Sequence, residues 1–65
     1  MNNIKAIREA KGISQKGLAK EANVSAPFLY DLERNRRGAK PETWLRIADA
    51  LGCTVEELMG KEESA

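Results

Sequence analysis

Sixty-five residues, 42% of them apolar and with a net charge of only +1, make one small domain with a single core and no large cleft. One cysteine (Cys53) excludes an intrachain disulfide framework, and without histidine no zinc site is expected. No apolar run reaches the roughly 18 residues of a membrane span, and MNNIKAIREAKG lacks a signal-peptide apolar region, so the expectation is a soluble cytoplasmic protein without cofactor or membrane contact.

Period-two alternation is missing, whereas helical periodicity occurs five times. A first helix is predicted over about Asn3 to Lys11, with Ile4, Ile7 and Ala10 on one face and Gly12 ending it. Ser14 caps a second helix, about Gln15 to Glu21, which buries Leu18 and Ala19. Gly17 inside it costs about 1 kcal/mol relative to Ala, so either the position is neutral or backbone passes close by. Asn23 makes a tight turn, because Asn accepts positive φ better than most residues. Ser25 caps a third helix, about Ala26 to Arg34, with Pro27 in the first turn, where its missing N–H has no helical partner. Asn35 to Lys40 form a basic loop. Pro41 suits the first position of a fourth helix, in which Trp44, Ile47, Ala48 and Leu51 fall at i, i+3, i+4 and i+7 before Gly52 stops it. Thr54 and Glu57 have capping-box spacing for a short fifth helix with Val55 and Leu58 inward. Cys53, between two helices, reads as a small buried hydrophobe. The expected fold is all-α: a compact five-helix domain over residues 1–60 with a polar, frayed tail at 61–65.

The segment QKGLAKEANVSAPFLYDLER, Gln15 to Arg34, has the spacing of a helix-turn-helix, whose second helix enters the DNA major groove. Charge supports it. Residues 1–40 carry nine basic and four acidic side chains, and residues 41–65 carry two and six, so the basic half holds the motif. Such polarity orients a domain in the field of a polyanion.

At 100° per residue, Leu29, Leu32 and Glu33 share the inner face of the third helix, with Pro27, Asp31 and Arg34 opposite and Phe28 and Tyr30 flanking. Ala26 sits at the end that points into the groove. Ala26, Pro27, Tyr30, Asp31 and Arg34 are therefore the candidate base readers. Arg34 suits a bidentate pair with guanine, Asp31 a cytosine amino group, and Ala26 and Pro27 a thymine methyl. Alternatively, Asp31 and Arg34 form a solvated i, i+3 ion pair. Candidate phosphate contacts are Gln15 and Lys16 at a helix start, Ser25 and Phe28 at the next, and Arg36, Arg37 and Lys40 on the loop. Arg8 and Glu33 are expected to pair and lock the first helix to the third, and Trp44 to serve the core.

Together, Ile7-Arg8, Gly12-Ile13-Ser14-Gln15, Leu18-Ala19, Asn23-Val24-Ser25, Leu29, Leu32-Glu33-Arg34, Pro41, Ile47-Ala48, Leu51-Gly52 and Leu58 resemble the lambda-repressor/Cro-like (XRE) family over about residues 4 to 59. The resemblance implies a five-helix DNA-binding fold and bacterial or phage transcription regulators that commonly act as dimers on palindromic operators. It gives Gln15 a phosphate-contacting role, places Ala26, Pro27 and Asp31 at base-reading positions, and makes Arg8 and Glu33 a structural ion pair. Two departures stand out: Asn23 replaces the glycine favoured in the turn, and positions 26 and 27 hold neither amides nor cations. No appended dimerisation or ligand domain is expected within the 65 residues.

The leading expectation is thus a sequence-specific double-stranded DNA-binding regulator, a repressor, dimerising weakly through the fourth- and fifth-helix region, with no small-molecule ligand evident. The alternative is a non-enzymatic protein-interaction module that uses an exposed Phe28/Tyr30 surface. An enzyme is not expected, because no metal ligands, phosphate loop or nucleophile–base pair occur.

Overall fold

The computed structural model describes residues 2–60, so the tail at 61–65 lies outside the described residues. The chain forms α1 (Ile4–Ala10), α2 (Gln15–Ala22), α3 (Ala26–Glu33), α4 (Pro41–Leu51) and α5 (Val55–Met59), and no strand occurs among the described residues. α2 lies at the centre, packed on α3 and α4, while α5 closes the domain against α4 and α1. The fully buried side chains Ile4, Leu18, Leu29, Leu32, Ile47 and Leu58 come from all five helices, so the helices share one core.

Local chemistry sets the helix starts. The Ser14 hydroxyl accepts from the Gly17 N–H at 2.9 Å, and the Ser25 hydroxyl from the Phe28 N–H at 3.1 Å. Thr54 and Glu57 complete a reciprocal capping box at 2.9 and 3.1 Å. These bonds satisfy N–H groups that a helix start leaves without carbonyl partners. A Cβ on Gly17 would lie 3.0 Å from Ser14 Oγ. The cap, rather than passing backbone, crowds this position.

The turn between α2 and α3 is made by Asn23 at φ 60°, ψ 46°, where the backbone is left-handed. Its N–H donates to the Lys20 carbonyl and that of Val24 to the Ala19 carbonyl, which closes α2. Asn35 repeats this solution after α3, at φ 59°.

Four expectations need correction. Ala10 is exposed, because on α1 it lies about 120° from Ile4, whereas Arg8 lies about 40° away and takes the inner position. α2 runs one residue further than expected, burying Ala22, and α3 ends at Glu33 with Arg34 as its cap. Cys53 is half-buried rather than fully enclosed. Burial pushes its thiol pKa up, helped by Glu57 and opposed by Lys11.

Candidate nucleic-acid interface

α3 carries the candidate surface, and its inner side is anchored first. Leu29 and Leu32 are buried in the core. Beside them, Arg8 Nε donates to Glu33 Oε2 at 2.8 Å and Nη2 to Oε1 at 3.1 Å, a bidentate pair with side chains only 10% and 3% exposed. Arg8 Nη1 also donates to the Ile13 carbonyl at 3.1 Å. One arginine therefore ties α1, the α1–α2 loop and α3 together. Hydrogen bonding to Glu33 raises the Arg8 pKa, with burial opposing. A raised cation pKa means the pair's contribution is present below the ordinary guanidinium range and lost only as pH climbs through the folded value, far above neutrality.

Gln15, expected to face a phosphate, donates its amide N–H to Glu33 Oε1 at 3.2 Å. One amide hydrogen is thereby used inside the domain, and the second, with the amide oxygen, remains for a partner beyond it. Lys16 follows, exposed, in the first turn of the same helix.

The other side of α3 is open. Pro27, Tyr30 and Arg34 are exposed, and Ala26 and Asp31 are half-buried. Asp31 and Arg34 do not form the alternative ion pair. Instead, the Arg34 guanidinium lies over the Tyr30 ring, 5.2 Å from its centroid. The five candidate base readers thus lie on α3 and its Arg34 cap, with the Asp31 carboxylate outside the ion pairs seen among the described residues.

The basic loop begins immediately after α3, where the Arg36 N–H donates to the Asp31 carbonyl at 2.9 Å. Arg36, Arg37 and Lys40 are exposed. The expected exposed Phe28/Tyr30 surface is only half present. Tyr30 is exposed, but Phe28 is half-buried against the core, with the Arg37 guanidinium 4.1 Å from its ring centroid. The Phe28 N–H and the Ser25 hydroxyl are bonded to each other, although the hydroxyl retains its own hydrogen for an outside acceptor.

Two positioning residues carry no motif signal. Asn2 Nδ2 donates to the Leu32 carbonyl at 2.8 Å and to Asn35 Oδ1 at 3.2 Å, pinning the start of the basic loop to the N-terminal arm. Arg46 Nε donates to the Ala22 carbonyl at 2.9 Å, holding the end of α2 from α4. Periodicity is blind to both, since each side chain spans more than 20 residues of sequence. The i, i+4 spacing of Glu42 and Arg46 was the one visible cue, and those groups do pair at 3.3 Å.

Two helices joined at a left-handed residue, the second held by its inner face and open on its outer face, form a helix-turn-helix. The helix-turn-helix family HTH_3 matches residues 4–58. The chain belongs to that family. Among HTH_3-like relatives, the immunity repressor protein of Bacillus phage phi105 is 41% identical over 59 residues, 91% of this chain and 41% of that protein. The HTH-type transcriptional regulator DdrOP3 of Deinococcus deserti is 36% identical over 86% of this chain and 43% of its own length. This chain therefore spans less than half of either protein. The crystal structure of the clp gene regulator ClgR from Corynebacterium glutamicum superimposes with a TM-score of 0.84 at 28% identity, covering 94% of this chain and 65% of that one. The fold is accordingly the all-α, lambda-repressor-like one. Among the described residues no helix is long and apolar enough to cross a membrane, and no cluster of His, Cys, Asp or Glu could hold a metal ion.

Proposed function

We propose that this chain binds double-stranded DNA sequence-specifically as a cytoplasmic bacterial or phage transcription regulator, a repressor, with α3 in the major groove. The observation that carries the reading is the division of α3: an inner face tied down by Leu29, Leu32 and the Arg8–Glu33 pair, and an outer face that ends at the basic loop. Arg34, Asp31 and Tyr30 offer polar groups to base edges, and Ala26 and Pro27 offer apolar contact. Gln15, Lys16, Ser25, Phe28, Arg36, Arg37 and Lys40 flank them as phosphate contacts, which position the domain without reading sequence. Repression needs no chemistry beyond this, because an occupied operator is closed to other proteins.

The same reading has the chain act as a weak homodimer on a palindromic operator, with half-sites about 34–36 Å apart. Exposed Leu45 on α4 and Met59 on α5 lie on helices other than α3 and offer apolar surface for such an association. The test is selection from random duplex DNA, repeated with Arg34→Ala and with Arg36→Ala/Arg37→Ala. A palindromic motif is expected, blurred at particular positions by the first variant and weakened uniformly by the second. Enrichment of nothing by the wild type at low salt contradicts the proposal.

A further inference from the structure

We propose that Phe28 is a positioning residue for DNA binding: its ring is the platform that holds the Arg37 guanidinium ready for a phosphate beside the first turn of α3. This rests on the DNA-binding reading above and adds to it a role for the Phe28 ring in placing a neighbouring cation.

Three observations meet at this point. The Arg37 guanidinium carbon lies 4.1 Å from the Phe28 ring centroid, close enough for a stacked cation–π contact. Arg37 Nε donates to the Gly38 carbonyl at 3.4 Å, a long and weak contact, and the two terminal nitrogens make no hydrogen bond among the described residues. Phe28 is itself fixed, because its body is half-buried against the core and its N–H is held by the Ser25 cap. The ring therefore cannot follow the arginine into solvent. Instead, the arginine is held on the ring.

The consequence is entropic and geometric. A free arginine on an exposed loop loses rotamer freedom when it grips a phosphate, and that loss opposes binding. A guanidinium already seated on a rigid ring has lost part of that freedom before DNA arrives. Stacking uses the faces of the guanidinium plane, and phosphate recognition uses its N–H edge, so both contacts coexist. Lysine offers the charge without the planar fork, so it stacks and grips less well. Since Phe28 flanks the outer face of α3, the held cation lies at the margin of the candidate groove contact, where backbone phosphates run.

The experiment is a double-mutant cycle read by fluorescence anisotropy across a potassium chloride series. It uses the full 65-residue chain, a duplex enriched by the wild type and an unrelated duplex of equal length. Phe28→Leu is expected to weaken binding to both duplexes by roughly two- to fivefold. Arg37→Lys should lose about as much, and Phe28→Tyr should retain wild-type affinity. Arg37→Ala should lose more and lower the salt slope by about 0.9, one phosphate contact. In the Arg37→Ala background, Phe28→Leu should cost nothing further. Additive losses overturn the proposal, as does wild-type affinity for Arg37→Lys, which leaves the core untouched and keeps the test valid should Phe28→Leu unfold. Failure of the wild type to bind either duplex overturns the DNA-binding reading as well, whereas tight wild-type binding with an additive cycle overturns this inference alone.

Discussion

The two sides of α3 differ in how completely the domain satisfies them. On the inner side each polar group has a partner within the chain: Glu33 accepts from Arg8 and Gln15, and Arg8 also reaches the Ile13 carbonyl. On the outer side Asp31, Tyr30 and Arg34 keep spare donors and acceptors, and among the described residues the Arg34 guanidinium meets the Tyr30 ring but no carboxylate. The difference divides α3 and its Arg34 cap into a side committed to the fold and a side with polar groups to spare. Changes on the inner side should unfold the domain, while changes on the outer side should leave it folded and alter what it binds.

The comparison breaks most readily at the buried ion pair. Glu33→Ala leaves the Arg8 charge buried without a carboxylate and should cost about 3–5 kcal/mol, much of the stability of a domain this small. Urea unfolding measures it. Replacing both partners together, Arg8→Met with Glu33→Leu, should recover most of the loss, because no charge is then stranded. A double variant as unstable as the single one would show that the pair does more than neutralise itself. Leu29→Ala, on the same side, is expected to cost about 2–5 kcal/mol by leaving a cavity.

On the outer side, Arg34→Ala should shift stability by less than about 0.5 kcal/mol. In binding it should cost about 1–3 kcal/mol at the base pair it reads, seen as lost discrimination between matched and mismatched duplexes. The turn that joins the helices sharpens the contrast further. Asn23→Ala places an ordinary side chain at φ 60° and should cost about 1 kcal/mol, whereas Asn23→Gly should be nearly neutral.

The smallest effect concerns Cys53, away from α3. Its raised thiol pKa means that folding favours the protonated form, so the fold's advantage is present below the ordinary thiol range and lost as pH rises through the folded value. Alkylation by iodoacetamide near pH 8 should therefore be slower in the folded protein than in urea, because thiolate is scarcer.

Much of the fold was legible because local signals agreed. Ser14, Ser25 and the Thr54–Glu57 box marked helix starts, and Asn23 and Gly52 marked ends, each through a backbone need that its own side chain or conformational freedom meets. On the first helix periodicity brings Ile4 and Ile7 inward correctly and fails only at Ala10, since counting apolar residues ignores a buried arginine. The candidate site was legible as a set of outward positions on α3 but not as a set of interactions. Stacking of Arg37 on Phe28, the use of Gln15 by Glu33 and the reach of Asn2 to the loop all join residues on different elements. Such pairings follow from how helices pack, which no single helix encodes.

The proposed DNA-binding surface is the outer side of α3 with its basic loop. Mapping amide chemical-shift changes as a selected duplex is titrated into the labelled protein tests it most directly. The largest changes are expected at Gln15, Lys16, Ala26, Tyr30, Asp31, Arg34 and the loop from Arg36 to Lys40. Changes confined to α4 and α5 around Leu45 and Met59, with α3 and the loop unmoved, would contradict it.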